Sequence, residues 1–158
     1  MPERCVGCGA EFEPIEGPIH RYMTSSPGCW ACYGEVLGAL AIQPGLMEAR
    51  LYCVDAYAVQ HPGTPNPQAI QSVAVHLLNM YGYLKRGLPV TPPRLAGHKG
   101  AFRWLNPPAK SAARTVRDVP LSGSPDMIAL ASRAWVEAAW ASWAEHHDQI
   151  AEWDAVYG

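Results

Sequence analysis

Four cysteines in the first part of the chain have the residue type and spacing of metal ligands. Cys5 and Cys8 are separated by two residues, and Cys29 and Cys32 repeat that spacing after twenty further residues. Structural zinc sites hold the ion in a tetrahedron of sulfur or nitrogen ligands, and two such cysteine pairs are a common way to supply them. The pattern therefore predicts a structural zinc site near the amino terminus.

The residues around these cysteines predict the elements that position them. The segment Cys-Val-Gly-Cys-Gly at 5–9 has the form of a zinc knuckle, in which glycines let the backbone turn around the ion. The segments 11–13 and 19–22 alternate in polarity and predict a short hairpin. Ser26 is a suitable N-cap for a helix whose first turn carries Cys29. A knuckle, a hairpin and a ligand-bearing helix start resemble a treble-clef finger.

The fourth ligand is open between two residues. Cys32 lies one helical turn beyond Cys29 and would complete a set of four cysteines. His20 lies nine residues before Cys29 and would instead complete a set of three cysteines and one histidine. Two other interpretations are unligated thiols in the core and a redox pair at Cys29 and Cys32. The redox pair lacks the βαβ pattern typical of thioredoxin-like proteins. Cys53 is expected to be a core residue.

The other histidines suggest a second polar site. His61 ends the predicted second helix, His76 lies within the third, and His146 and His147 lie on the last. If the helices pack as a bundle, these groups could converge with Asp55 into an open catalytic metal site or supply a general base. A single histidine near an apolar face is more often a hydrogen-bonded core residue. The candidate lining of such a pocket comprises Asp55, Tyr57, His61, Gln71, His76 and His147.

Apolar residues at helical spacing predict a mainly α protein, a small bundle of about four helices. The predicted helices cover 27–42, 46–60, 67–86 and 124–157. We expect a single domain over residues 1–158. A zinc-binding module at 1–33 would pack on the bundle formed by 34–86 and 124–157, and a basic, proline-rich loop would occupy 87–123. Most tryptophans of the last helix are expected in the core, and Trp140 lies off the main stripe, where it could face a partner.

The formal net charge of −2 conceals an uneven distribution along the chain. Residues 1–55 carry seven acids and three bases, and residues 118–158 carry seven acids and one base. Residues 56–117 carry no acid and eight bases, which are Lys85, Arg86, Arg94, Lys99, Arg103, Lys110, Arg114 and Arg117. A nearly neutral total is what pairing of this basic segment with the acidic last helix would leave.

The basic segment at 85–117 has a second interpretation as an anion-binding surface. Arg94, Lys99 and Arg103 are the candidate contacts for phosphate or nucleic acid, and Trp104 is the best placed side chain for stacking on a base. A third interpretation is contact between copies of the chain. The near-neutral total makes internal pairing the favoured prediction, so nucleic acid is a possible partner that the sequence does not favour.

Composition excludes several classes of protein. With 49% apolar and 16% charged residues, the chain is not a disordered polyampholyte or a general polycation. No apolar run is long enough for a transmembrane helix, and the first residues do not resemble a signal peptide, so we expect a cytoplasmic protein without a membrane partner. Glycine-rich phosphate loops and the short catalytic signatures of hydrolases and metalloproteases are missing. A homo-oligomer is compatible with the low charge content.

Several longer motifs resemble an uncharacterised bacterial family, a domain of unknown function. They are HRYMxSSPGCWxxYGEVL from His20, VDAYAVQHPG from Val54 and QAIQSVAVHL from Gln68. The resemblance extends over most of the chain and brings no established activity. It implies Cys5, Cys8, His20 and Cys29 as the ligand set, because position 32 is commonly apolar in that family; Cys32 is a departure here. The resemblance therefore favours His20 as the fourth ligand.

The sequence leaves three functions open. The leading prediction is a zinc-binding protein whose ion is mainly structural and which acts as a binding or interaction module for an unknown partner. The alternative is a metal- or histidine-dependent enzyme with a pocket lined by Asp55, His61, His76 and His147. A second alternative is phosphate or nucleic-acid binding through the basic 85–117 loop.

Overall fold

The computed structural model of the protein describes residues 1–94, 100–109 and 113–158. This part of the chain contains five α-helices and a small two-stranded sheet, which confirms the predicted mainly α class. The strands are β1 (Glu3–Arg4) and β2 (Glu11–Phe12), and the helices are α1 (Pro27–Ala41), α2 (Met47–Gln60), α3 (Pro67–Lys85), α4 (Pro125–Ser142) and α5 (His147–Tyr157). None of the helices in the described ranges has the length and apolar character needed to cross a membrane.

Three of the helices begin with the same capping motif. A polar side chain at the N-cap accepts a hydrogen bond from a backbone N–H in the first turn, and proline follows at the first helical position, where its missing N–H costs nothing. The capping pairs are Ser26 Oγ with Cys29 N at 3.2 Å, Asn66 Oδ1 with Ala69 N at 2.8 Å and Ser124 Oγ with Met127 N at 3.2 Å. These caps are readable in the sequence, which is why the helix starts agree with the predicted ones.

The last predicted helix, 124–157, is interrupted. α4 ends at Ser142, a single 3-10 turn covers Ala144–His146, and α5 then begins at His147. Trp143 at the break is fully buried, and its indole Nε1 donates to the carbonyl oxygen of Val59 at 3.2 Å. No proline or glycine marks this position, so the interruption depends on tertiary packing.

The hairpin occupies a different place from the predicted one. β1 and β2 pair antiparallel with Glu3 opposite Phe12 and Arg4 opposite Glu11, so the knuckle at 5–9 forms the connection. The segment 19–22 was expected to supply the second strand and forms none. The knuckle itself brings the two flanking segments together, and they pair with each other over a shorter loop.

α2 is the most enclosed helix and packs against α1, α3 and α4. All of its residues from Asp55 to Gln60 are buried, including three that are polar or titratable. Cys53 on this helix is fully buried near Ser132, and burial raises the pKa of its thiol to about 12, which fits the expected core role. Because α2 lies at the centre, side chains on its different faces reach different clusters of polar groups.

The tryptophans of α4, of α5 and of the break between them lie in the core. Trp135 and Trp143 are fully enclosed, and Trp140 and Trp153 are buried. Trp135 Nε1 donates to Gln60 Oε1 at 2.9 Å, which ties α4 to the end of α2. Trp140, a candidate for a partner contact, is instead stacked on His147 with 4.0 Å between ring centroids.

Candidate metal centre

The knuckle is a tight turn that presents two thiols on one side. Cys5 N donates to Ala10 O at 2.8 Å, Gly9 N donates to Cys5 O at 2.9 Å, and Gly9 has a φ of +78° that favours glycine. Gly7 lies directly against the end of α2. A Cβ at this position would collide with the His61 ring and with the carbonyl oxygen of Thr24, so only glycine allows the loop to pack this closely.

Cys29 reaches the same place from the first turn of α1. The Ser26 cap accepts its backbone N–H, and Pro27 begins the helix, so the local sequence positions this thiol at a helix amino terminus. The partial positive charge of that terminus favours a thiolate. The Cys29 side chain has no exposed surface.

His61 follows the last residue of α2 and points its ring at the three sulfurs. Its Nδ1 lies 2.8 Å from the carbonyl oxygen of Tyr57, to which it donates. Because Nδ1 then carries the proton, Nε2 has a free lone pair, and it lies 3.4 Å from Cys29 Sγ. Histidine ligands are commonly oriented by such a hydrogen bond from the second ring nitrogen.

Together Cys5, Cys8, Cys29 and His61 form a buried cluster, which we call the metal cluster because it could hold a metal ion. Their ligand atoms all lie within 4.8 Å of one another, and none of the four residues is more than 2% exposed. Cys8 Sγ and Cys29 Sγ are 3.9 Å apart. Tetrahedral zinc with bonds of about 2.3 Å to sulfur would separate two sulfurs by about 3.8 Å. The donor set and its dimensions therefore fit a tetrahedral metal ion.

The thiols compete for negative charge. The pKa of Cys5 is lowered because the Cys29 and Cys8 thiols donate hydrogen bonds to its sulfur. The pKa of Cys29 is raised because it serves as donor to Cys5 and Cys8 and because it is buried. Three buried thiolates would repel one another strongly, and a divalent cation would offset that repulsion.

Aromatic side chains pack around the cluster. The Tyr57 hydroxyl lies 3.4 Å from Cys29 Sγ, and burial together with this sulfur raises the pKa of Tyr57, so the phenol stays protonated and donates. The Tyr57 ring stacks on His61 at 3.8 Å and on Tyr33 at 3.9 Å between centroids. These contacts restrict the His61 ring to one orientation and keep water from the sulfurs.

The two residues expected as the fourth ligand lie outside this cluster. His20 Nδ1 accepts a hydrogen bond from Tyr22 N at 3.3 Å, and its ring packs edge-on against Tyr22 and Trp30. Cys32 is half-buried one turn along α1, where burial raises the pKa of its thiol. The structure thus brings together Cys5, Cys8 and Cys29 of the predicted set and places His61 where His20 or Cys32 was expected.

The sequence pattern indicated His61 only as a candidate pocket residue. It lies 32 positions beyond Cys29, so no ligand spacing links the two. A weak sequence signal is the glycine at position 63, two residues later. In the structure its φ is +77°, and a Cβ there would collide with the carbonyl oxygen of Tyr22. That close approach holds the end of α2 against the amino-terminal segment.

The histidines expected to converge with Asp55 are distributed over separate sites. His61 belongs to the metal cluster. His146 Nε2 lies 2.7 Å from Asn106 O, and His147 Nε2 lies 2.9 Å from Trp140 O. Only His76 reaches Asp55, with 2.7 Å between Nδ1 and Oδ1. The remaining candidates are Tyr57, beside the metal cluster, and Gln71, half-buried on α3.

Asp55 is the centre of a second buried polar cluster. Its carboxylate has no exposed surface and accepts hydrogen bonds from three side chains of α3. These are His76 Nδ1 at 2.7 Å, Asn79 Nδ2 at 2.8 Å and Tyr83 OH at 2.8 Å. The spacing of three and four residues puts the donors on one face of the helix. The cluster compensates a buried carboxylate and joins α2 to α3.

The basic side chains of the 85–117 segment differ in their contacts with the rest of the protein. Arg86 pairs with Asp154 on α5 at 3.2 Å, as the internal-pairing interpretation expected. Arg103 donates to Gln149 at 3.1 Å, and Arg117 donates to the carbonyl oxygen of Glu11. Of the anion-binding candidates, Arg94 lines a cavity beside α3, Arg103 lies near α5, and Lys99 lies outside the described residues, as does Lys110. Trp104 is half-buried.

Fold and site together define a class: a mainly helical protein with a buried cluster of three cysteines and one histidine that could hold a metal ion. The chain belongs to a family of unknown function, DUF5946, whose model matches residues 3–144. No curated protein and no solved structure matches the chain significantly. The family match spans both the metal cluster and the Asp55 cluster.

Proposed function

We propose that this chain is a zinc-binding protein whose ion, held by Cys5, Cys8, Cys29 and His61, is structural. The observation that carries the proposal is the mutual distance of at most 4.8 Å among four buried ligand atoms. Unligated thiols and imidazoles can be buried singly, but four of them directed at one point indicate a common partner.

The donor set favours zinc over other common ions. Thiolate and imidazole are soft or borderline ligands, whereas calcium and magnesium prefer oxygen. The cluster contains no carboxylate or carbonyl oxygen among its four donors. Three cysteines with one histidine in a tetrahedral arrangement form an ordinary structural zinc set.

The position of the cluster supports a structural role for the ion. Four protein ligands fill a tetrahedron and leave no position for water or substrate, which a catalytic zinc requires. The ligands come from the knuckle, from α1 and from the end of α2, so one ion would join three segments that are distant in sequence. Ion binding would then contribute directly to the free energy of folding.

A structural ion favours a binding or interaction protein over a metal-dependent enzyme. The zinc would hold the knuckle and hairpin on the ends of α1 and α2 and so maintain that surface of the bundle. The biochemical partner would be recognised elsewhere on the molecule, by surfaces that the ion stabilises without contacting.

Metal content in matched variants tests the ligand set. Protein purified without chelator should contain about one zinc per chain by elemental analysis. His61→Ala should lose most of the zinc, while His20→Ala and Cys32→Ser, which alter the two other candidates, should retain it. Each of the three substitutions removes one candidate ligand side chain, and only His61→Ala removes a member of the cluster.

Two results would overturn the proposal. Metal-free protein that is folded and as stable with chelator as with added zinc would exclude a structural zinc. Loss of zinc in His20→Ala or Cys32→Ser, with retention in His61→Ala, would show that the other residue is the fourth ligand and that His61 is not.

A further inference from the structure

A cavity of about 630 Å³ lies between α3, the segment 88–94 and the end of α5. Its volume is within the range of small-molecule sites, roughly 300–1,000 Å³. Apolar side chains such as Val75, Leu88 and Phe102 form much of its lining. None of the described residues that line it belongs to the metal cluster, so the two sites are separate.

Two polar side chains of the lining, Asn79 and Tyr83, already donate all of their protons within the protein. Both amide protons of Asn79 are donated, one to Asp55 Oδ2 at 2.8 Å and one to Thr91 O at 3.0 Å. The single hydroxyl proton of Tyr83 is donated to Asp55 Oδ2. Burial and the Asp55 charge raise the pKa of Tyr83, so this phenol stays protonated. Towards a ligand, Asn79 Oδ1 and the Tyr83 oxygen can therefore act only as acceptors.

Gly82 provides independent evidence that this space is kept open. It is a buried glycine inside α3, where glycine costs about 1 kcal/mol relative to alanine. Its φ is not positive, so the backbone does not require glycine. A Cβ there would point into the cavity and first meet the end of the Leu88 side chain at 3.4 Å. A larger residue would strengthen the helix and fill the cavity.

The lining carries two arginines and one aspartate, and one arginine forms an ion pair with the aspartate. Arg86 Nη1 contacts both carboxylate oxygens of Asp154 at 3.2 Å, so these two side chains form a neutral pair. Arg94 is exposed at the lining, and the fully buried Asp55 carboxylate lies behind Asn79 and Tyr83. The nearest charge behind the acceptors is therefore negative, which disfavours a carboxylate or phosphate at that wall.

We propose that this cavity binds a small organic molecule that carries an N–H donor, an amine or amide, on an apolar body. The donor group is placed against Asn79 Oδ1 and the Tyr83 oxygen, and the apolar body lies along Val75, Leu88 and Phe102. Asp55 acts as a positioning residue, because it accepts hydrogen bonds from Asn79 and Tyr83 and thereby leaves only their acceptor atoms for a ligand.

Three probes of similar length test the chemistry of the ligand. 2-Phenylethylamine and 3-phenylpropanamide carry N–H donors, and 3-phenylpropionate carries a carboxylate in the same place. Titrations of isotope-labelled protein, purified with its metal, should show amide shifts centred on Gly82 and Leu88. We expect the amine and the amide to bind about tenfold more tightly than the acid. The amine and the amide each gain a hydrogen bond to the acceptor atoms, whereas the carboxylate of the acid is repelled by them.

A cavity-filling variant and a matched control test the location. Gly82→Leu should abolish binding of all three probes without lowering the unfolding temperature, since it replaces a helix glycine. Gly38→Leu makes the same substitution at an exposed glycine of α1 whose Cβ would meet nothing within 4 Å, and it should bind the probes as the parent does.

Three outcomes would overturn the proposal. No binding by any probe would exclude the site, and equal or tighter binding of the acid would exclude the donor-selective wall. Retained binding in a folded Gly82→Leu variant would place the probes elsewhere. Zinc content is measured in the same samples, so a failure of the metal proposal would be seen separately.

Discussion

His61 donates a hydrogen bond from Nδ1 to the carbonyl oxygen of Tyr57 at 2.8 Å, four residues earlier in the chain. This bond determines the tautomer, and it directs Nε2 towards the sulfur of Cys29 at 3.4 Å. The acceptor belongs to the backbone of the most buried helix, so the ring is oriented by the core of the protein. The metal cluster is therefore a continuation of the packing of α2, and its integrity should be coupled to the stability of the bundle.

Removal of the proposed zinc should destabilise the whole described fold. We expect a strong chelator to lower the unfolding temperature by about 10 °C or more, because several kcal/mol of binding free energy is lost and each kcal/mol is worth about 2–4 °C at this chain length. Differential scanning calorimetry before and after chelation measures the change. Addition of zinc should restore the original temperature, and an unchanged temperature on chelation would contradict a structural ion.

Gly7→Ala should weaken metal binding although it replaces no ligand. Its Cβ would collide with the His61 ring and the Thr24 carbonyl oxygen, and such overpacking costs about 1–3 kcal/mol, or about 5- to 150-fold in zinc affinity. Competition with a chromophoric chelator measures the affinity. Gly17→Ala is the control, because a Cβ at Gly17 would meet nothing within 4 Å. Equal affinities in the two variants would argue against the close packing of knuckle and α2.

Asp55→Ala should be among the most destabilising substitutions in the bundle. It leaves His76, Asn79 and Tyr83 without their acceptor in a buried place, and we expect a loss of about 3–5 kcal/mol. Tyr83→Phe removes one donor only and should cost about 1–2 kcal/mol. Urea unfolding of both single variants and the double variant measures the coupling. The double variant should be more stable than additivity predicts, and strict additivity would mean that the two groups do not interact.

Stability should fall at alkaline pH through Tyr83. Burial and Asp55 raise the pKa of this phenol above its value in the unfolded chain, so the folded state holds the proton more tightly. The stabilisation is complete below the unfolded pKa, about 10, and is lost as pH rises beyond it. Unfolding free energies measured from pH 8 to pH 11 should fall less steeply in Tyr83→Phe than in the parent. An equal slope in Tyr83→Phe and the parent would contradict this role of the tyrosine.

Much of the fold could be predicted from local patterns. Ser26-Pro27, Asn66-Pro67 and Ser124-Pro125 combine a cap with a proline at the first helical position, and the helices do begin there. The break at Trp143 could not be predicted this way, because it arises when the indole turns inward to the carbonyl oxygen of Val59. The chain carries no local signal for a contact made across 84 residues.

The members of the metal cluster also differ in how far the sequence alone predicts them. The sequence on its own determined Cys5, Cys8 and Cys29 as members of one cluster. A knuckle and a capped helix start are local structures, and residue type and spacing are enough to predict them. Only the tertiary structure decided the fourth member of the cluster. His61 is brought in by the packing of α2 against the amino-terminal segment, and close contacts at Gly7 and Gly63 position it, whereas His20 and Cys32, nearer in sequence, are directed elsewhere. Proximity along the chain makes a ligand easy to bring near, but the direction of its side chain depends on what the rest of the molecule packs against it.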